Sequence, residues 1–247
     1  LDRLLPLFGN GRNIEMQAVF LEEAEVQHAA ELPFVQELCR VTFSVREFNS
    51  DRFEKALLLR MRTAQRALDL LARRTGVHHS FRNVRGSAVN LLREAAESSD
   101  MAVFEPVWRY GLTMGGLSPR AAVRQHIVAV VCEPGSASAV LRAAAHLAGG
   151  RSHCISIVLF PLTADHIPAL RDQVGASLQG RGGHVRLIAP GNIDALLASV
   201  RELRAGMLVL PATPNLIEAP VLGRILERLR CPVCLVRKWR ETPDTAG

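Results

Sequence analysis

Lysine is almost missing from this chain: of its 30 basic residues, only Lys55 and Lys238 are not arginine. The formal charge of +6 thus comes with an arginine skew that, beside abundant alanine, reads as coding composition rather than as a phosphate-binding surface. Aromatics are scarce too. Nine Phe, two Trp and one Tyr are too few for a platform on which bases stack. The one basic stripe, Arg224, Arg228, Arg230, Arg237, Lys238 and Arg240 against Glu227, is short, and no nucleic-acid partner is expected. Long apolar runs are absent. The best, Ile127–Cys132 and Ile155–Phe160, have strand length and fall well short of the roughly 18 residues of a membrane span. A basic helix over 51–74 could lie on a membrane surface, but its acids Asp51, Glu54 and Asp69 and its apolar stripe fit packing on a sheet better. No membrane partner is expected. The chain opens without Met and without a basic-then-apolar leader, so it reads as part of a longer cytoplasmic protein.

Cysteine is sparse and odd in number: Cys39, Cys132, Cys154, Cys231 and Cys234. That usage fits a reducing compartment and reduced thiols. Cys231 and Cys234 have the spacing of a redox pair, but a working pair sits at a helix N-terminus, where the dipole lowers the thiol pKa. Here the two residues open a predicted strand, in which positions three apart point to opposite faces, so buried small residues are the expectation. The histidines, among them His126, His153 and His184, lack a spaced Cys or carboxylate partner, which leaves no metal site. There is no Gly-x-Ser-x-Gly elbow, and no paired carboxylates close a strand beyond Glu22-Glu23. No catalytic set assembles, and the chain is not expected to be an enzyme.

What the chain does have is core: 48% of residues are hydrophobic. Ile127–Cys132 reads as a buried strand, followed by a turn and a helix over 136–148 with Val140, Leu141, Ala144, Ala145 and Ala148 at helical spacing. Strands over 154–162, 184–189, 207–210 and 232–236 alternate with helices over 164–178, 192–203 and 216–229, the helix over 192–203 capped by Asn192. Such alternation with near-continuous apolar strands predicts an open α/β fold, a mainly parallel five-stranded sheet with helices on both faces. The first half repeats part of this pattern: strands over 16–21, 80–84 and 101–104, with helices over 51–74 and 89–97. An overlay of 78–104 on 183–210 matches Gly86 to Gly191 and Leu91-Leu92 to Leu196-Leu197. The expected domains are an incomplete copy over 1–108, a linker over 109–125 and a complete copy over 126–247.

Cys231-Pro-Val-Cys-Leu-Val-Arg, entered from an apolar helix, resembles the closing strand of the universal stress protein family. Ile127–Val131 followed by Glu-Pro-Gly-Ser-Ala-Ser and an Ala/Leu helix is similar to its first strand and helix. The resemblance covers 126–238 well and 14–108 as a partial tandem copy. It implies strand order 3-2-1-4-5, dimerisation and, in one subclass, ATP binding. ATP-binding members carry a Gly-x2-Gly and a later Gly-Ser/Thr after strand four, whereas this chain shows no glycine between Leu210 and Gly223 and places Glu218 near the phosphates. The family's acidic residue after strand one is matched by Glu133. A residual pocket would thus comprise Cys132, Glu133, Ser136, Pro211, Ala212 and Thr213. The resemblance points to a non-enzymatic protein with a degenerate nucleotide site and no cofactor, acting through contacts with an unidentified protein in a stress or regulatory response. The alternative is a member that holds ATP or AMP through a divergent site. With no fifth strand in the first copy, the apolar strand Pro232, Val233, Cys234, Leu235 and Val236 is expected to be an open edge that pairs across a homodimer.

Overall fold

Strands that are apolar on both faces cannot face water, and their helices must cover them. The computed structural model describes residues 14–24, 28, 31–32, 34–38, 44–105, 126–149, 154–178, 184–217, 220–229 and 231–237. The chain divides into two compact units, residues 1–91 and 92–247.

The second unit holds a sheet of six strands: β5 (Met101–Phe104), β6 (Ile127–Val131), β7 (Ile155–Leu159), β8 (His184–Leu187), β9 (Met207–Pro211) and β10 (Val233–Val236). Their order is β5-β10-β9-β6-β7-β8. Ile127 pairs in parallel with Ile155 on one side and Met207 on the other, Ser156 with His184, and Leu208 with Val233. Counted from β6, the five parallel strands follow the order 3-2-1-4-5. Every residue of β6, β9 and β10 is buried.

The helices α3 (Ala137–Leu147) and α4 (Ile167–Ser177) pack together, as do α5 (Ile193–Glu202) and α7 (Pro220–Arg228). Two helical layers are what a sheet that reverses its winding after β8 requires. The alanines of α3 let it lie close: Ala137, Val140, Ala143, Ala144 and Leu147 are all buried. Asn192 caps α5, its Oδ1 accepting from the Ala195 amide at 2.9 Å. The helix expected over 216–229 is two, α6 (Pro214–Ile217) and α7, because Pro220 has no N–H with which to continue the first.

One expectation is overturned here. Pro232–Val236 is not an open edge. β10 lies between β9 and β5, with Val233 opposite Phe104, Cys234 opposite Val103, Leu235 opposite Ala102 and Val236 opposite Met101 in an antiparallel ladder. The strand over 101–104 has the predicted bounds, and it belongs to the second unit, where it hydrogen-bonds to β10. Arg237 fastens it. Its Nη1 donates to the Glu97 carbonyl at 2.8 Å and its Nε to that of Ser99 at 3.1 Å, at the end of α2 (Ala88–Ser98). The division between the two compact units falls at 91/92, and the expected boundary at 108 lies outside the described residues. Both edges of this strand are paired within the chain, so it has no open edge with which to meet a second copy. The linker over 109–125 lies outside the described residues.

In the first unit β1 (Glu15–Glu23) pairs in parallel with β4 (His78–Gly86) over nine residue pairs. Between them in sequence come a hairpin, β2 (Gln36–Leu38) and β3 (Val45–Glu47), and the helix α1 (Ser50–Thr75). The Asn49 side chain accepts from the Arg52 amide at 2.8 Å to start α1. Gly76 ends it at φ 69°, a left-handed conformation in which glycine carries no Cβ penalty, and its N–H donates to the Ala72 carbonyl. Leu68, Leu71 and Ala72 form the buried face, with Phe53, Leu57, Met61 and Ala64 half-buried along the same stripe.

Candidate functional site

The six residues expected to line a pocket meet at one rim of the second sheet. β6 runs through buried backbone into Cys132, and Glu133 leaves it extended at φ −136°. The chain then turns through Pro134–Ser136, where the Ser136 hydroxyl donates to the Glu133 carbonyl at 2.8 Å before α3 begins. On the neighbouring strand, Pro211 ends β9 and the Ala212 amide donates to the Val236 carbonyl at 2.8 Å. The Thr213 carbonyl accepts from the amides of Leu216 and Ile217, both at 3.0 Å, which closes α6. β6 and β9 adjoin where the winding reverses, with β7 and β8 on one side and β10 on the other. That reversal is where open α/β sheets form a crevice at the carboxyl ends of their strands.

The rim is bridged by the chain's own side chains. Asn215 Nδ2 donates to Glu133 Oε1 at 2.9 Å. Asn215 had no sequence signal: it lies in a short helix and is 82 residues from its partner. The Oγ1 of Thr213 is buried nearby with no hydrogen-bond partner. The rim therefore offers a carboxylate, an amide and a hydroxyl, and its one glycine, Gly135, has no crowding to relieve, since a Cβ there would meet nothing within 4 Å. A phosphate cradle needs converging backbone N–H groups and close approach. This rim has a negative charge in its place.

Cys132 is buried, and desolvation first, with Glu133 second, raises its thiol pKa far out of the reactive range. Burial pushes the Cys234 thiol up to about 12. Cys231 and Cys234 form no disulfide, and Cys234 lies inside β10. His126 Nε2 lies 3.0 Å from the Ser156 hydroxyl at the opposite ends of β6 and β7, away from the rim. Among the described residues no group of three or more His, Cys, Asp or Glu side chains could hold a metal ion.

The fold defines an open, doubly wound α/β protein whose winding reverses between β6 and β9. In overall structure the chain is similar to a universal stress protein from Archaeoglobus fulgidus, at 11% identity and a TM-score of 0.45, over 96% of this chain and 91% of that one. It is also similar to a functionally unknown protein from Pseudomonas aeruginosa, at 11% identity and a TM-score of 0.38, over 90% of this chain and 92% of that one. At these scores the overlays add no weight to the strand order, which stands on the chain's own pairing. No protein-family model matches the chain, and no curated protein matches it. No helix among the described residues is long and apolar enough to cross a membrane.

Proposed function

We propose that this is a universal-stress-type protein that works without catalysis, through contacts with other proteins in a stress or regulatory response. The observation that carries the reading is the Glu133–Asn215 bond, which engages the Glu133 carboxylate in an internal contact at the rim. The absence of glycine between Leu210 and Gly223 supports it, since phosphate needs bare backbone there. Thiols at Cys132, Cys154, Cys231 and Cys234, none in a disulfide, support a cytoplasmic setting.

A second reading, the binding of ATP or AMP, is favoured by one feature: the Thr213 hydroxyl is buried at the same rim and lacks a partner that a ligand could supply. The two separate by mass spectrometry of the small molecules released when the purified native protein is denatured. The first reading expects no adenine nucleotide in the eluate. A stoichiometric nucleotide would replace it with the second.

A further inference from the structure

Among the described residues the buried polar side chains are two serines, Ser156 and Ser199, and both serve one corner of the second unit. Ser156 stands opposite Val128 on one side and His184 on the other, so it shares a sheet face with both. Arg186, two residues beyond His184, lies on that face too. Its Nη1 donates to the Ser199 hydroxyl at 3.1 Å and to Glu202 Oε2 at 2.6 Å, so this is a face that α5 covers. His126 completes the corner, its Nε2 3.0 Å from the Ser156 hydroxyl.

Backbone ties the corner to the end of α5 as well. The His126 carbonyl accepts from the amides of Gly206 at 2.7 Å and Met207 at 3.3 Å. Just before them stands Arg204 at φ 48°, the one non-glycine residue with positive φ among those described. Its amide donates to the Arg201 carbonyl, and that of Ala205 to the Val200 carbonyl, a helix end that glycine usually makes. A side chain in this conformation stores strain that the surrounding contacts must hold.

Charge in the corner is unevenly matched. His184 and Arg186 on β8, Arg201 in the last turn of α5 and Arg204 after it are its basic side chains. Its acid is Glu202, which Arg186 already engages, and the Cys154 thiol precedes β7. Burial first, and His184 second, hold the His126 pKa below the ordinary 6.5. A neutral ring can accept from the Ser156 hydroxyl through Nε2. An imidazolium cannot, and the buried hydroxyl then loses its acceptor.

We propose that this corner is an acid latch: when His126 takes up a proton, β8 and the last turn of α5 open while β6, β9 and β10 stay closed. The latch holds fully above about pH 6.5 and weakens as the pH falls through that value towards the depressed folded pKa. β8 is the element to yield, because its four residues are all exposed, whereas every residue of β6, β9 and β10 is buried. Histidine is the side chain suited to such a response. The latch sits at the amino ends of the strands, away from the rim, and is independent of what the rim binds.

The test is hydrogen exchange of the full chain at about pH 7.5 and about pH 5, corrected for the intrinsic pH dependence of exchange. Protection over 184–187 and 199–203 is expected to fall about tenfold or more in acid relative to protection over 127–131. In His126→Gln, whose side chain still reaches Ser156 but takes up no proton, that selective loss should vanish. In the wild type, the midpoint of the loss should coincide with the ring titration of His126 followed by NMR, a readout that stands even if the variant folds poorly. Protection that falls evenly over the sheet or not at all would overturn the proposal. So would a selective loss that persists in a folded His126→Gln, or one whose midpoint departs from that of the His126 ring.

Discussion

Asn215 donates its side-chain amide to the Glu133 carboxylate at 2.9 Å, joining the loops that follow β9 and β6 across the crevice where the sheet reverses.

The bridge makes a measurable contribution. A hydrogen bond to a charged group at a partly solvated site stabilises by about 1 kcal/mol. Asn215→Ala and Glu133→Ala should each lower the urea midpoint by a corresponding amount, and the double variant should lose no more than the larger single one. Fully additive losses would mean that the two side chains do not interact in solution.

Arg237 should matter more than an ordinary surface arginine. It bonds two backbone carbonyls, those of Glu97 and Ser99, and its Nη2 lies 3.7 Å from Asp100 Oδ1. Arg237→Ala is expected to cost about 1–3 kcal/mol. Hydrogen exchange should quicken selectively at the amides of Met101–Phe104. Unchanged protection there would show that the β5–β10 ladder holds without the clamp.

Val233 is 1% exposed and lies between two strands. A lysine there leaves an unpaired charge in the core, so Val233→Lys should destabilise by about 4 kcal/mol or more. Guanidinium titration should find it largely unfolded. A well-folded variant changed only in its association state would restore the open-edge picture that the pairing overturns.

His126 supplies a pH dependence. Burial first, and then neighbouring His184, hold its pKa below the ordinary 6.5. The unfolded chain thus takes up the proton at a higher pH than the folded one. Stability from this group is complete above about 6.5 and is lost as the pH falls through that value towards the depressed folded pKa. His126→Asn should flatten the slope of stability against pH below 6.5 relative to the wild type; an unchanged slope would exclude His126 as its source.

The second unit was largely legible because its signals are local. β-branched runs such as Ile127–Val131 bury both faces, and Asn192 caps the helix it was expected to cap. Met101–Phe104 was legible as a strand with its final bounds, but its partner was not. The ladder joining Val103 to Cys234 spans more than a hundred residues, and nothing near either strand distinguishes an antiparallel neighbour on β10 from a parallel one in the first half. The same limit applied at the rim. Glu133 and Thr213 could be placed from the ends of apolar strands, while Asn215 could not, because its role exists only once β6 and β9 are adjacent. Proline decided the division of the helix over 214–228, where apolar spacing alone ran straight through.

Titration calorimetry with ATP tests the central claim most directly. With the Glu133 carboxylate bridged to Asn215 and no glycine between Leu210 and Gly223, the rim should bind ATP no tighter than about millimolar, roughly −4 kcal/mol. Micromolar binding that Glu133→Ala abolishes would contradict the account and establish a nucleotide site at this rim.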